Sequence, residues 1–438
     1  MPALQVKRIA PKPKHPRSDK RSEIVELTVE RLGAQGDGIA MWRGEPVFLP
    51  FALPGDRVRA QLGARRGSGR EGKVVEHLSG RARRAAPPCR HFGRCGGCAL
   101  QHLPPEDYRT VKLGALREAL RRVGLDPAVV APLRSVPPAR RRVRLGLRRP
   151  QDPQAPAVIG FRERFSHALV DLAECAVMEP ALLALVAPLR RTAPRWLAPG
   201  GTAEAMLTRC DSGVDLLIEA ADAPGLAVLE AFGELAVAQD IARIVWRVGH
   251  SDTLVVERRP VRVVFSGVAV SLAPGAFLQA SAAAEAALVA EVIAAAGDRR
   301  PVLDLYAGLG TFTWALAKAG PVHAVEGDAA AAAALGTAAR IAGVTVERRD
   351  LDREPLTGAE LSGYAAAVFD PPRAGARRQA EALAAAALDT VVAVSCNPAT
   401  FARDAAALVA GGFRLERVAP VDQFVFTPHL ELVATFRR

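Results

Sequence analysis

Two hydrophobic runs near the C-terminus end in residues that can do chemistry. AAVF (366–369) leads into Asp370-Pro371-Pro372-Arg373, and VVAVS (391–395) leads into Cys396-Asn397-Pro398. A lone cysteine is usually inert core filling. Cys396 differs because proline two residues on stops the strand and holds a turn, which presents the thiol rather than burying it. A thiolate is a soft nucleophile suited to conjugate addition. Such an addition needs a partner base, and Phe424-Val-Phe-Thr-Pro-His-Leu-Glu431 offers two candidates. His429 and Glu431 would share a face of an extended stretch. Either could serve on chemistry alone. The competing reading is an edge strand with polar residues facing water.

A second constellation lies upstream. VLDLYAGLGTFT (302–313) reads as a strand, a glycine-rich loop and the start of a helix. Gly308 and Gly310 permit a sharp turn and close approach of a ligand. Glu326 closes the next hydrophobic run, twenty-two positions after Asp304. An acid about 20 residues on can hold both hydroxyls of a ribose. A dinucleotide-binding loop would carry G-x-G-x-x-G to cradle a pyrophosphate. Here the pattern is D-x-x-x-G-x-G, and an acid at Asp304 disfavours pyrophosphate but suits the cationic methionine end of S-adenosylmethionine. Asp350, ending a third run, could accept from an adenine amino group.

A methyl-transfer site has a specific use for a thiolate. Carbon 5 of uracil is barely nucleophilic. Thiolate addition at carbon 6 creates an enolate whose carbon 5 can attack a methyl group. A base must then remove the carbon-5 proton so that sulfur can leave.

The elements that must position these residues follow from hydrophobic periodicity. From about Gly275, helices (281–296, 312–319, 329–342, 376–387, 399–409) alternate with strands (302–306, 322–326, 366–370, 391–395), TVERRD between, and two strands at the end. Short loops between alternating strands and helices imply a doubly wound parallel α/β sheet of Rossmann type, whose ligands bind at the carboxyl ends of the strands. Residues 23–80 instead show short strands punctuated by Gly33, Gly36, Gly38, Gly44, Gly55 and Gly63, as in a small β-barrel. Residues 81–274 form a mixed central domain: a linker RARRAAPP (81–88), a helix over about 105–123, and mostly strands after 140. RRRVRLGLRR (140–149) alternates arginine with apolar residues, which would give one packed and one basic face.

Of the 438 residues, 50% are hydrophobic and 24% charged, which excludes a disordered chain. No apolar run is long enough to span a membrane, and the basic, proline-rich start lacks the apolar core of a secretory signal. A cytoplasmic protein, without membrane partners and monomeric, is expected. The net charge of +12 favours phosphate polyanions. Residues 1–22 carry seven Lys and Arg against one acid, Asp19, and read as a disordered basic arm.

Six cysteines occur, three of them in Cys89-x5-Cys95-x2-Cys98. Disulfides are not expected in such a compartment. Structural zinc usually pairs C-x-x-C with a second such pair, which is absent. Three clustered cysteines and a distant fourth suit an iron–sulfur cluster. The spacing also differs from the C-x3-C-x2-C of radical enzymes that use S-adenosylmethionine. Spacing leaves Cys175 and Cys210 open as the fourth ligand.

Together SCNPATFARD (395–404), DPPRAG (370–375) and VLDLYAGLGTFT, supported by FLQAS (277–281) and HLE (429–431), resemble the uracil-5 RNA methyltransferase family. The resemblance extends over residues 23–438 and is greatest to the 23S ribosomal RNA members with a TRAM domain and a 4Fe-4S cluster. It implies Cys396 as nucleophile and Glu431, over His429, as the base. It implies Gln279, Tyr306, Thr311, Glu326, Asp350 and Asp370 as S-adenosylmethionine contacts, with Gln279 and Asp370 also reaching the uracil. Thr311 stands where some relatives have Asn. It implies residues 23–79 as the TRAM barrel, and Cys89, Cys95, Cys98 and Cys175 as cluster ligands, with Cys210 free. FVFTPHLE departs from the family's F-P-x-T-x-H-x-E by shifting Thr and Pro. Three alternatives accompany this reading: a transfer-RNA uridine substrate, a non-catalytic RNA-binding protein on the same fold, and a cytosine-5 methyltransferase. Intact Cys396, Glu431 and cofactor motifs speak against the second, and the SCNP context against the third.

Overall fold

The computed structural model describes residues 23–33, 35–79, 84–164, 166–340 and 343–438. The basic arm expected over 1–22 lies outside the described residues. The described residues form two compact units, one within 23–32 and 37–79, the other within 33–36 and 84–438.

The first unit is a six-stranded sheet in the order 24–28, 57–66, 69–79, 45–49, 38–42, 31–32. Its hairpin between Trp42 and Glu45 turns on Arg43 and Gly44, both at positive φ (51° and 79°), the two-residue geometry that matches strand twist. Val25, Leu27, Val47, Leu49, Val58 and Ala60 fill its core.

The second unit contains two large sheets. One, from the central part of the chain, runs 251–257, 241–248, 213–219, 202–210, 142–148, 158–160. Helices Val186–Trp196 and Leu226–Ala238 pack on one of its faces. In Arg142–Arg148 the apolar residues are buried and Arg144 and Arg148 exposed, as alternation requires. The preceding Arg141 turns inward instead and is buried.

The other sheet carries the chemistry. We name its strands β1 (Val302–Leu305), β2 (Val322–Glu326), β3 (Val344–Arg348), β4 (Ala366–Phe369), β5 (Thr390–Ser395), β6 (Arg414–Asp422) and β7 (Glu431–Arg437). Their order is β3-β2-β1-β4-β5-β7-β6, extended by a short strand, Arg134–Ser135. The first five are parallel, while β7 runs antiparallel between β5 and β6. β1, β4 and β5 are buried along their whole length, as strands covered by helices on both faces must be. Helices Ala282–Ala296 and Ala329–Ala339 contribute to the core on one face. Pro105–Arg122, Arg377–Ala385 and Pro398–Ala410 contribute to the other. Chain order reverses between β1 and β4, so a crevice opens where both strands end. No helix among the described residues is long and apolar enough to cross a membrane.

The stretch 424–430 is not the extended segment expected from its alternation. It is a turn: Phe424 carbonyl accepts from Thr427 N (3.0 Å) and Oγ1 (2.8 Å), and Phe426 adopts φ +62°. The strand begins only at Glu431 and lies inside the sheet, which removes the edge-strand reading.

Candidate active site

β1 delivers Asp304, fully buried, to the mouth of the crevice. One of its oxygens accepts from Thr313 Oγ1, and Oδ1 is buried with no hydrogen-bond partner among the described residues. Burial pushes this carboxyl up to about 7, and Glu326 adds repulsion. The loop that follows turns on Tyr306, Gly308 and Gly310, all at positive φ. A Cβ at Gly310 would come within 2.3 Å of the Trp314 indole, so that position is closed to side chains; a Cβ at Gly308 would meet nothing within 4 Å. Glu326, at the end of β2, accepts from Gly308 N (2.7 Å) and Asp328 N (2.6 Å). Its carboxylate thereby ties the glycine loop to the next strand and keeps lone pairs for further donors. Tyr306 donates its hydroxyl to Asp352 (3.0 Å). Asp350 accepts from the backbone of Asp352 (3.1 Å), and Thr311 is half-buried beside the loop.

β4 and β5 deliver the reactive ends. Asp370 directly follows β4; burial pushes its carboxyl up to about 7, and Asp304 repels it. Cys396 follows β5. Asn397 then caps helix Pro398–Ala410, accepting from Ala399 N (3.1 Å), while its amide donates to Arg373 O (3.0 Å). The Asn-Pro pair that stops the strand therefore also fastens the cysteine loop to the Asp-Pro-Pro-Arg loop. Burial raises the Cys396 thiol to about 11, with Glu431 and then Asp370 adding repulsion and Arg373 opposing it.

The register brings Glu431 to the same place. Ser395 pairs with Leu432 across β5 and β7, and Val421 pairs with Glu431 across β6 and β7. Glu431 is buried, and its carboxyl is raised well above the usual range by that burial and by Asp370. His429 sits in the preceding turn with its ring edge-on to Phe424, and burial lowers its basicity.

Four residues that motif reading passed over hold this arrangement. Gln423 donates from Nε2 to Glu431 Oε2 (3.0 Å) and to Gln279 Oε1 (2.8 Å), and accepts from Ala280 N (2.9 Å). Gln279 in turn donates to Asp370 (3.3 Å). Arg141 donates to the Gln279 carbonyl (3.0 Å) and pairs with Glu285. Lys112, fully buried, pairs with Asp422 (2.6 Å) and donates to the carbonyls of Phe424 (2.9 Å) and His429 (2.6 Å). Tyr108, from the same helix as Lys112, donates to Asp422 (2.6 Å) and accepts from Phe426 N (3.0 Å).

Cys89, Cys95, Cys98 and Cys175 line one cavity of about 130 Å³, with Arg140 beside them. Burial raises the thiols of Cys95, Cys98 and Cys175. Cys210 is buried elsewhere in the core. Among the described residues no group of three or more His, Cys, Asp or Glu is arranged to hold a metal ion. The segment after Cys98 reaches the candidate site: Ala99 N and Leu100 N both donate to Phe426 O, at 2.8 and 3.0 Å.

Residues 262–438 match the family model for tRNA (uracil-5-)-methyltransferase, and residues 20–64 match that for the TRAM domain. A Caulobacter vibrioides protein described as an uncharacterized RNA methyltransferase is 42% identical over 428 residues, 94% of this chain and 100% of that protein. The 23S rRNA (uracil(1939)-C(5))-methyltransferase RlmD of Chromohalobacter salexigens is 38% identical, over 94% of this chain and 89% of its own length. The crystal structure of Pyrococcus abyssi tRNA (uracil-54, C5)-methyltransferase with S-adenosyl-L-homocysteine superposes with a TM-score of 0.71 at 24% identity, covering 94% of this chain and all of that one. It shares the fold.

Proposed function

The chain belongs to the uracil-5 RNA methyltransferase family, and from that premise we propose that it methylates carbon 5 of a uridine in 23S ribosomal RNA through a covalent Cys396 adduct. The observation that carries the mechanism is the convergence of Cys396, Glu431 and Asp370 at adjoining strand ends. The 38% identity to RlmD over nearly the whole chain supports the ribosomal substrate.

The protein uses S-adenosylmethionine, which when bound supplies a methyl group on a cationic sulfonium. The pocket fits it. Asp304 Oδ1, buried and without a partner among the described residues, suits the cationic methionine portion. Glu326 retains acceptor capacity for ribose hydroxyls. Tyr306, Thr311 and Asp350 border the same crevice and would complete the contacts, Asp350 at the adenine.

The Cys396 thiolate, its proton already lost, adds to carbon 6 of the uracil, and the ring π pair moves toward the carbonyl at carbon 4. Carbon 5 then takes the methyl group, and the pair of the broken carbon–sulfur bond stays on the donor sulfur. Glu431 removes the carbon-5 proton, the ring double bond returns, and the carbon–sulfur bond breaks. Burial favours the protonated forms of the thiol and the carboxyls in the empty site. Positive charge brought beside Asp304 and Asp370 favours the ionised forms that the reaction needs.

We assign residues 23–80 to a TRAM domain, 81–274 to a central domain and 275–438 to the catalytic domain. The four-cysteine cavity supports a 4Fe-4S cluster held by Cys89, Cys95, Cys98 and Cys175. Methyl transfer is redox-neutral, so such a cluster would serve structure, and Ala99 and Leu100 brace the turn before Glu431.

The test is a map of 5-methyluridine across total RNA with and without the gene. Loss at one 23S position is expected. Loss in transfer RNA alone would move the substrate to that class, and loss nowhere would overturn the activity.

A further inference from the structure

Gln423 lies between the base-recognition side chain and the proton acceptor, and its amide has a single permitted orientation. The atom 2.9 Å from Ala280 N must be the carbonyl oxygen, because a backbone N–H only donates. The NH2 end therefore faces Glu431 Oε2 and Gln279 (3.0 and 2.8 Å), and its two hydrogens are both used. The Gln279 atom that receives one of them must in turn be oxygen. Hence Gln279 turns its own NH2 toward Asp370. Its backbone is fixed as well, since Arg141 donates to the Gln279 carbonyl (3.0 Å) and pairs with Glu285. Gln279 and Gln423 are both buried, which limits the alternative partners either amide can find.

We infer that Gln423 is a positioning residue that selects uracil over cytosine by fixing the amide of Gln279 with its N–H end toward the base pocket. This rests on the function proposed above. Uracil presents the carbon-4 carbonyl, an acceptor, beside N3–H, a donor. Gln279 N–H and the Asp370 carboxylate form the complementary donor and acceptor. Cytosine presents an amino donor beside an acceptor nitrogen, and both would meet groups of their own kind. An amide free to flip would lose that discrimination, because its oxygen could accept the amino group. Gln423 thus acts on specificity without touching the ring.

The test uses two RNAs identical except for 5-fluorouridine or 5-fluorocytidine at the target. Fluorine at carbon 5 cannot be removed as a proton, so methylated adducts persist and are counted on denaturing gels. Wild-type protein and the Gln423→Leu and Gln423→Met variants compete for the pair in the presence of S-adenosylmethionine. The uracil preference of the variants is expected to fall by about tenfold or more, the worth of one buried hydrogen bond. An unchanged preference overturns the inference, whether or not the rate on the uridine RNA falls. Absence of cytidine adduct from every protein counts as unchanged. Thermal melting selects whichever variant keeps the fold. If wild-type protein forms no adduct with the fluorouridine RNA, the functional reading itself fails instead.

Discussion

Cys396 and Glu431 each lie one residue beyond the same cross-strand pair, Ser395 with Leu432, so the antiparallel register of β5 and β7 sets them opposite one another. A slip of one residue would send Glu431 to the other face of the sheet. Two buried side chains hold the turn that feeds β7: Gln423 grips Glu431 itself, and Lys112 grips the carbonyls of Phe424 and His429.

Cys396→Ala should abolish methyl incorporation from labelled S-adenosylmethionine while RNA binding persists in gel-shift experiments, because contacts to the phosphate backbone dominate affinity. Full activity in this variant would remove the covalent mechanism.

Glu431→Gln should accumulate a protein–RNA adduct on denaturing gels, because elimination stalls with the carbon-5 proton in place. It should also lower the thiol's titration. Glu431 raises Cys396 by repulsion, so its neutral replacement allows the thiolate to form at lower pH. Alkylation of the Cys396 peptide, followed by mass spectrometry against pH, is expected to shift downward. A profile identical to wild type would mean that Glu431 does not face the thiol.

Cofactor affinity should strengthen as pH rises through about 7, where Asp304 and Asp370 ionise. The same raised carboxyls carry the opposite sign for the ligand-free fold. Their protonated forms are favoured in the native state, so stability falls as pH rises from their unfolded range through about 7. Titration calorimetry at pH 6 and 8 checks the first statement and thermal unfolding the second. Asp304→Asn should weaken binding at pH 8 and flatten both profiles.

Lys112→Met should destabilise the protein by about 3–5 kcal/mol, since it leaves Asp422 buried and unpaired. Urea unfolding measures this. The double variant Lys112→Met with Asp422→Leu should regain much of the stability but not the activity, because the carbonyls of Phe424 and His429 still lack their donor. Faster amide exchange across 423–430 in the double variant is the expected signature.

Anaerobically purified protein should contain about four irons per chain and be brown. Cys98→Ser should lose most of the iron. Zinc in stoichiometric amount would overturn the cluster assignment.

The C-terminal fold was readable because hydrophobic runs, short loops and glycine punctuation are local signals. Reactive residues at strand ends were readable for the same reason: Asp370 and Cys396 each terminate an apolar run. The side chains that hold them were not. Lys112 meets His429 across 317 residues and Gln279 meets Gln423 across 144, and nothing in linear spacing announces either contact. The turn at 424–430 is not legible in the sequence, because the alternation of His429 and Glu431 is also that of a strand. What bends it is positive φ at Phe426, a conformation rare for a bulky residue and sustained by partners far along the chain. Arg141 read as part of a basic face, and its burial depends on Glu285, 144 residues away.

The three hydrogen bonds of Phe426, two accepted from the segment after Cys98 and one donated to Tyr108, bear on modularity. The segment 262–438 that matches the methyltransferase family model carries the nucleophile and the cofactor loop, yet the groups that bend the chain ahead of Glu431 come from residues 99–112. Excised by itself it would keep the strand register that pairs thiol and proton acceptor but lose the partners that hold the turn ahead of Glu431. During synthesis, likewise, the turn ahead of the base cannot settle until it meets a helix translated some three hundred residues earlier.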